Sequence, residues 1–400
     1  MTVLIEASLM VLAAGLLMLT AVLAIEVVAA SVRRRSAHPV DAGPTQDSDA
    51  SVAVIVPAHN EGAGLLPTLG DIRKELRKGD RLLVVADNCS DDTAKQAART
   101  GAEVVVRHDR ARMGKGYALA VGLEALSAAP PDIVIMIDAD CRIPPGTLDR
   151  LALACLATRR PVQALNLMTA PGDARPGLRV AEFAWRVKNW ARPLGLSVLG
   201  LPCPLMGTGM AFPWETLRSV DLASGALVED VKLGLDLARL RVAPVFCPSA
   251  LVISEFPQSA EAEANQRARW ETGHTALLRS VPRLMGTALA ERNLPLFVMA
   301  LDLAIPPLTL LALLVAGVFV ASVSFAALGL GTLSLLLAIA SLGAFLLAIG
   351  LSWFRFGRAV LPARTLVRIP GYMFCKLPLY GRIIAGRAGT AWVRTERRKT

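Results

Sequence analysis

The sequence predicts a doubly wound α/β domain, with a mixed or mostly parallel sheet, inserted between helices that cross a membrane. Two observations lead to this fold class. Short apolar runs alternate with helical stretches between residues 52 and 137, which is typical of a sheet covered by helices on both faces. The 400-residue chain is also 54% hydrophobic, with a mean hydropathy of +0.48, and this is too apolar for a wholly water-soluble protein.

The start of the chain predicts a membrane anchor. The first 30 residues carry two charges, Glu6 and Glu26. Within them, Ala7–Ile25 is long enough to cross the roughly 30 Å hydrocarbon layer as a helix. Three arginines follow at residues 33–35. Because a cleaved signal peptide carries its positive charge before the apolar run, we expect a retained helix whose carboxyl end faces the cytoplasm.

A second apolar region spans residues 294–353 and contains one charge, Asp302. Two helices of about 20 to 25 residues fit there, with a turn near Gly329–Gly331. The last segment, residues 355–400, holds eleven lysines and arginines and one acid. Its net charge of +10 equals that of the whole chain. This placement favours a tail on the anionic cytoplasmic face of a membrane over a nucleic-acid-binding domain.

The predicted segments follow one another along the chain. They are a transmembrane helix (1–31), a basic and polar linker (32–50), a cytoplasmic α/β domain (51–275), an interfacial helix (276–293), two transmembrane helices (294–354) and a basic cytoplasmic or interfacial tail (355–400). We therefore expect a multi-pass protein of the cell membrane. Six cysteines without a C-x-x-C pair are consistent with a reducing cytoplasm, and four scattered histidines form no zinc pattern.

Polar residues follow three of the four predicted strands of the α/β domain. They are Pro57, His59, Asn60 and Glu61 after the first strand, Asp87 after the second, and Asp138 and Asp140 after the fourth. In open α/β sheets ligands bind at the carboxyl ends of the strands, so one ligand could contact all of these residues. Taken singly, each is as well explained by an ordinary loop.

The stretch "DIVIMIDADC", residues 132–141, is the clearest of these strand ends. Asp138 and Asp140 are two residues apart, so both side chains can face one ligand. Two carboxylates there suit Mg²⁺ or Mn²⁺ bound to a nucleotide diphosphate. A solvated loop is the commoner explanation of a lone D-x-D. Lys115, between two glycines before a predicted helix, could contact a phosphate or be an ordinary loop charge.

The second half of the domain contains three further motifs. They are the loop Gly207, Thr208 and Gly209, the acid pair Glu229 and Asp230, and the run Gln266, Arg267, Ala268, Arg269 and Trp270. The acid pair begins a predicted helix, where it could complement the helix dipole or supply a general base. In the last run, Gln266, Arg269 and Trp270 fall at positions i, i+3 and i+4 and therefore share one helix face. This face could contact a ligand or lie at the membrane interface.

In this order, Asp87, Asp138-x-Asp140, Asp230 and Gln266-x-x-Arg269-Trp270 resemble the D, DxD, D, QxxRW pattern of membrane-integrated family 2 glycosyltransferases. Cellulose, hyaluronan and poly-N-acetylglucosamine synthases belong to that group. The resemblance covers residues 52 to about 275 and implies a GT-A fold. "VED" stands where the family often has "TED", and "ADNCSDD" where many members have "DDGSTD". The second difference leaves the preferred donor open.

The resemblance also implies roles for the site residues. Pro57, His59, Asn60, Glu61, Asp87 and Lys115 would bind the UDP-sugar donor, with Asp138 and Asp140 on its Mg²⁺ or Mn²⁺. Asp230 would be the catalytic base. The acceptor and the diphosphate would contact Gly207, Thr208, Gly209, Glu229, Gln266, Arg267, Arg269 and Trp270. Because only three spans are evident, fewer than in most polymer-secreting synthases, the sequence does not favour a pore made by this chain alone.

The function that we expect is inverting transfer of a hexose or N-acetylhexosamine from a UDP-sugar to a saccharide, for cell-surface or exopolysaccharide synthesis. Transfer of one sugar to a lipid or polyprenyl carrier is an alternative, and an inactive scaffold or transporter subunit is another. The expected partners are membrane lipids, the donor, and a saccharide or lipid-linked acceptor, with no nucleic acid. Export-machinery subunits or a second copy of the chain are further partners to test.

Overall fold

The computed structural model describes residues 2–32, 49–257, 259–374 and 376–384. Most of the predicted linker, residues 33–48, lies outside the described residues. The end of the basic tail, residues 385–400, also lies outside them.

One mixed sheet organises the described part of the α/β domain. Its seven strands are β1 (Val52–Ala58), β2 (Arg81–Asp87), β3 (Glu103–Arg107), β4 (Ile133–Met136), β5 (Val162–Thr169), β6 (Met210–Pro213) and β7 (Val245–Glu255). Their order is β3-β2-β1-β4-β6-β5-β7. All neighbours are parallel except β6, which is antiparallel to β4 and to β5. The predicted mixed, mostly parallel doubly wound sheet is therefore confirmed.

Helices precede the sheet, cover both of its faces and follow it. They begin with α1 (Thr2–Val32), α2 (Leu66–Glu75), α3 (Thr93–Arg99), α4 (Lys115–Leu126), α5 (Thr147–Thr158), α6 (Pro176–Arg186), α7 (Arg192–Val198), α8 (Trp214–Leu217), α9 (Glu229–Arg239) and α10 (Ala260–Leu278). They continue with α11 (Val281–Ala290), α12 (Leu294–Ala304), α13 (Leu308–Ala327), α14 (Thr332–Ser352), α15 (Ala363–Leu366), α16 (Ile369–Phe374) and α17 (Leu377–Ile384). A π-helical turn, Val187–Ala191, joins α6 to α7.

The two faces of the sheet are covered by different helices because successive strand residues point to opposite sides. Val54 of β1 packs with residues of α2 and α5, including Leu69 and Leu151. Its neighbour Ile55 packs with residues of α4 and α9, including Leu119. All five side chains are buried. A strand that is apolar at every position is therefore covered on both faces, as its sequence indicates.

Three described helices are long and apolar enough to cross a membrane. They span Leu4–Val32, Leu308–Ala327 and Thr332–Gly357. The apolar stretch expected to start the second span at residue 294 instead forms the separate helix α12, because Pro306 and Pro307 end it before α13 begins. Helix α12 packs against α9 and α11 through residues such as Met299. This apolar stretch therefore lies beneath the α/β domain.

The described part of the basic tail contacts helix α10. The Tyr372 hydroxyl of α16 accepts a hydrogen bond of 2.6 Å from Arg267, and Lys376 forms a buried ion pair of 2.9 Å with Glu271. The predicted interfacial helix at 276–293 consists of the end of α10 and all of α11. The helix that carries the QxxRW motif is thus fixed to the segment that follows the apolar helices α13 and α14.

A buried charge cluster joins the apolar helices α1 and α12 to helix α7. Arg192, the first residue of α7, donates hydrogen bonds of 2.8 Å to Glu26 of α1 and 2.6 Å to Asp302 of α12. All three residues are less than 10% exposed. An uncompensated buried charge is strongly destabilising. The Arg192 guanidinium therefore holds α1 and α12, which carry the two carboxylates, against α7.

Gly195 allows α7 and α1 to approach closely. A Cβ atom at this position would lie 1.8 Å from the carbonyl oxygen of Glu26. Backbone atoms cannot move aside as the end of a flexible side chain can. The contact therefore requires glycine in α7.

We predict that Gly195→Ala lowers the free energy of unfolding by about 3 kcal/mol or more, because overpacking against backbone forces the two helices apart. Gly70→Ala in α2 is the matched control, since a Cβ there meets nothing within 4 Å. Alanine is favoured over glycine in a helix by about 1 kcal/mol, so this variant should be neutral or slightly stabilised. Denaturant unfolding of the full chain in detergent measures both, and equal midpoints for Gly195→Ala and wild type would show the prediction to be wrong.

Candidate functional site

The carboxyl ends of β1, β2 and β4 open into one cavity of about 690 Å³. Most of the predicted site residues line it. They are Pro57, His59, Glu61, Asp87, Lys115, Asp138, Asp140, Gly207, Thr208, Glu229, Asp230, Gln266, Arg269 and Trp270. These three strands are parallel, so their ends meet at one edge of the sheet, and α9 and α10 close the cavity from the other side.

Three predicted site residues do not line the cavity. Asn60 adopts a left-handed backbone (φ 54°), and its side chain accepts a 2.7 Å hydrogen bond from the backbone of Ser90. A Cβ at Gly209 would lie 2.7 Å from a side chain of β7, so this glycine is needed for packing. Arg267 forms an ion pair with Glu263 and contacts α16. These residues support the site from outside.

Asp87 lies at the end of β2 in a buried network. Its carboxylate accepts hydrogen bonds of 2.6 Å from Arg107 and 3.0 Å from the Asn88 side chain. The imidazole of His59 lies 2.7 Å from its backbone oxygen. Ionic hydrogen bonds of this kind hold a side chain firmly, so the loops after β1 and β2 are joined at this residue. Sequence reasoning missed Arg107, which lies 20 residues away on β3.

Asp138, Asp140 and Cys141 each bring a potential metal-ligand atom within 4.8 Å of the others. The two carboxylates provide the hard oxygen ligands that Mg²⁺ or Mn²⁺ prefers. Burial raises the pKa of the Cys141 thiol well above its ordinary value, so the thiol stays neutral and is a weak ligand. The backbone N–H of Asp138 donates to Thr208 Oγ1 at 3.0 Å, which fixes this carboxylate beside the glycine loop.

Lys115, the first residue of α4, links the metal-binding carboxylates to the glycine loop. Its ammonium pairs with Asp138 and donates a 2.6 Å hydrogen bond to the carbonyl oxygen of Gly207. Burial alone would lower the pKa of Lys115, but the Asp138, Glu229 and Asp230 carboxylates outweigh burial and raise it. Lys115 therefore remains a cation at the centre of an acidic site.

Glu229 and Asp230 begin α9 and both line the cavity. Burial, together with the neighbouring Asp230, raises the pKa of Glu229 to about 7. Burial also raises the pKa of Asp230, against the opposing charges of Lys115 and Lys188. Carboxylates whose affinity for protons is raised in this way can act as general bases near neutral pH. A Cβ at Gly207 would approach Asp230 Oδ2 to 3.4 Å, so the glycine leaves space beside the acid.

Two tryptophans form an aromatic wall in the cavity. The rings of Trp185 on α6 and Trp270 on α10 have centroids 5.0 Å apart. Trp185 Nε1 donates to the Asn166 backbone oxygen at 3.0 Å, which fixes its ring. Buried Gln266 lies on the same helix as Trp270. Aromatic rings beside hydrogen-bonding groups suit a sugar ring, which has an apolar face and a polar edge.

The cavity has polar lining residues that sequence reasoning did not assign to it. They are Arg110, Asn166, Lys188, Asn189, Arg192, Ser254, His274 and Asp302. Lys188 and Asn189 lie in the π-helical turn. Asp302 was visible in the sequence as the single charge of an apolar region, and this was a usable signal. The other residues lie in no recognisable motif, so only their tertiary positions reveal them.

The fold is of the GT-A type expected from the sequence. Residues 49–273, more than half of the chain, match the model of the family described as "Glycosyltransferase like family 2". The chain therefore belongs to this glycosyltransferase family. Membership in its membrane-integrated synthase subgroup remains an expectation.

Individual proteins are also similar to parts of the chain. An uncharacterized glycosyltransferase of Mycobacterium tuberculosis is 40% identical over 146 residues, which are 35% of this chain and 60% of that protein. The probable glycosyltransferase YdaM of Bacillus subtilis is 26% identical over 250 residues, 56% of this chain and 55% of its own length. The chain thus spans about 60% or less of the length of these relatives.

Among solved structures, the mannosyltransferase PcManGT of Pyrobaculum calidifontis, determined with GDP-Man and Mn²⁺, has a similar fold. Its TM-score is 0.56 at 18% identity, and the match covers 96% of this chain and 99% of that one. At this level of identity the similarity concerns the fold.

We predict that Glu229 makes stability depend on pH. Its pKa is raised from an ordinary 4.5 to about 7, so the folded state binds the proton more tightly than the unfolded chain. The corresponding stabilisation is complete below pH 4.5 and is lost as pH rises through about 7. Glu229→Gln cannot ionise, so it should become more stable than wild type above pH 7 and match its pH trend below pH 4.5.

Denaturant unfolding in detergent from pH 4 to pH 8 measures this difference. Glu124→Gln is the matched control, because Glu124 is exposed on α4 and its replacement should change stability little. A constant difference between Glu229→Gln and wild type across the range would contradict the prediction.

Proposed function

We propose that this chain is an inverting glycosyltransferase that moves a hexose or N-acetylhexosamine from a UDP-sugar to a saccharide hydroxyl at the cytoplasmic face of a membrane. The observation that carries the proposal is that Asp87, Asp138, Asp140, Asp230 and Trp270, far apart in the chain, line one cavity. Membership in a glycosyltransferase family supports the same chemistry. An inactive scaffold would not need all of these groups to converge.

The donor would lie along the edge formed by β1, β2 and β4. In this arrangement Asp87 and the loop after β1 contact the nucleoside, and Lys115 lies beside the diphosphate. Asp138 and Asp140 would hold Mg²⁺ or Mn²⁺, which when bound neutralises charge on the diphosphate. Lys115 and Arg269 add positive charge where the leaving group develops negative charge.

The reaction that we propose is a single displacement. The acceptor oxygen forms a bond to the anomeric carbon while the bond from that carbon to the diphosphate breaks, so the configuration inverts. Asp230 takes the proton of the attacking hydroxyl. Its raised proton affinity suits this role, and the neighbouring Glu229, with a pKa of about 7, is the rival candidate. The tryptophan wall would support the ring of the acceptor.

Transfer to a lipid-linked acceptor is a second candidate, because the cavity reaches the apolar helix α12. Met299, Asp302 and Leu303 of α12 line it, and Asp302 is tied through Arg192 to α1. An acceptor attached to a lipid could therefore enter from the membrane side.

We propose the topology accordingly, with α1, α13 and α14 in the cell membrane, 51–275 as the catalytic domain and the basic tail on the cytoplasmic face. Export subunits and a second copy of the chain remain partners to test.

We predict that transfer depends on a divalent cation and that Asp140→Ala abolishes detectable turnover. The metal ion would lose one of its carboxylate ligands and would no longer be held beside the developing charge of the diphosphate. Release of labelled sugar from a panel of UDP-sugars, with Mn²⁺ or with excess EDTA, measures this. Asp149→Ala is the control, because Asp149 is an acid on α5 and does not line the cavity. Full turnover of wild type in EDTA would rule out the metal role.

We predict that Asp230→Asn lowers the transfer rate by about 10² to 10⁴-fold, because asparagine keeps the size of the side chain but cannot accept the proton. UDP affinity should be retained, since Asp230 is assigned to the acceptor hydroxyl. Initial rates and UDP affinity are measured side by side for Asp230→Asn and Glu229→Gln. Collapse of Glu229→Gln with normal turnover of Asp230→Asn would reassign the base, and normal turnover of both would refute the proposed mechanism.

A further inference from the structure

Lys188 is a cation in the cavity for which the donor chemistry has no role. It lies in the π-helical turn Val187–Ala191 between α6 and α7, and it is accessible to solvent within the cavity. Turns of this kind are rare and occur frequently at functional sites. The Lys188 ammonium lies 5.8 Å from the centre of the Trp185 ring. It therefore lies beside the aromatic wall.

Lys188 has no close counterion. Among the described residues, no carboxylate lies within 4.0 Å of its ammonium, whereas Lys115 pairs with Asp138 and Arg192 pairs with two acids. Protein around the cavity lowers the pKa of Lys188, and the more distant Asp230 carboxylate opposes this effect. Because Lys188 is exposed within the cavity and forms no ion pair with the described residues, an anionic ligand group in the cavity could form a charged hydrogen bond with it.

Lys115 and Lys188 contact different parts of the cavity. Lys115 pairs with Asp138 and donates to the Gly207 carbonyl oxygen, so it lies with the proposed metal-binding carboxylates. Lys188 lies beside the ring of Trp185, which packs against Trp270. Lys188 is therefore placed with the aromatic wall proposed for the acceptor.

We propose that Lys188 binds a phosphate group of the acceptor, so that the acceptor is a phosphorylated saccharide. This inference rests on the proposed function and specifies its acceptor. The sugar ring would lie against Trp270 and Trp185, with a free hydroxyl facing Asp230 and the phosphate facing Lys188. The hydroxyl oxygen bonds to the donor's anomeric carbon, its proton passes to Asp230, and the donor diphosphate leaves with the electrons of the broken bond. The acceptor phosphate is unchanged.

Two sources share this chemistry, a free sugar phosphate and a sugar joined to a lipid through phosphate. The probes are therefore glucose, mannose and N-acetylglucosamine 1-phosphates, their decyl phosphodiesters, and the uncharged decyl glycosides. Binding to the full chain in detergent with saturating UDP and Mn²⁺ is followed by tryptophan fluorescence or calorimetry. Transfer from UDP-sugars to the same compounds is measured in parallel.

We expect wild type to bind at least one phosphorylated sugar about tenfold more tightly than its uncharged glycoside, since a charged hydrogen bond is gained. Lys188→Met should remove this preference without weakening binding of the glycoside, and Lys188→Arg should restore most of it. Lys95→Met, on the exposed side of α3, is the matched control and should keep the preference. Tighter binding of the decyl phosphodiesters identifies a lipid-linked acceptor, and no gain from the decyl chain identifies a soluble one.

Several results would overturn the inference. The first is that wild type binds no phosphorylated sugar. The second is that Lys188→Met loses affinity equally for the charged and the uncharged ligands. The third is that Lys188→Met changes only the pH profile of transfer, which is expected if Lys188 only balances the charge of Asp230. Transfer to uncharged glycosides alone would retain the proposed function and reject the inference. A chain that binds sugar phosphates but neither binds nor turns over a UDP-sugar would instead reject the proposed function.

Discussion

The position of the proposed catalytic groups depends on the buried ion pairs that Arg192 forms with Glu26 and Asp302. Arg192 starts α7, which continues from α6 through the π-helical turn, so the same helical segment carries Trp185 and Lys188 into the cavity. Asp302 lies on α12, and α12 packs against α9, which begins with the proposed base. One buried cation thus links the aromatic wall and the acid pair to the apolar helix α1.

This arrangement is costly in isolation, because three charged groups are removed from water. It is tolerated since the guanidinium offers several donors in a fixed plane and can satisfy two carboxylates at once. Close contact between α7 and α1 at Gly195 brings these groups into reach. The charge cluster and the glycine contact therefore act together, and they connect the apolar helix α1 to the structure that shapes the cavity.

Electrostatic balance is the second constraint on the cavity. Asp138, Asp140, Glu229 and Asp230 would repel one another if all were charged, and Lys115 lies among them. A metal ion on Asp138 and Asp140 would relieve part of the same repulsion. In the proposed arrangement the acidic groups would receive the positive charge of a metal ion, and Lys188 would meet an anionic group of the acceptor.

Local pattern was sufficient for the fold class and for most of the site. Apolar runs that end in polar residues mark parallel strands, and the carboxyl ends of such strands share an edge, so the sequence alone places Asp87, Asp138 and Asp140 together. Helical spacing likewise put Gln266, Arg269 and Trp270 on one face. Spacing could not distinguish Arg267 and Asn60 from the residues that line the cavity. Both lie in the same motifs as those residues but contact neighbouring loops and helices instead.

The sequence by itself determined the α/β class, the three apolar helices and the convergence of the acidic motifs, because these follow from periodicity and strand direction along short stretches. Only the tertiary structure decided that residues 294–304 lie beneath the domain, that Arg107 holds Asp87, and that Trp185 and Lys188 enter the cavity. Those features depend on contacts between segments far apart in the chain. No local pattern encodes which buried groups will meet, since packing of the whole domain selects the partners.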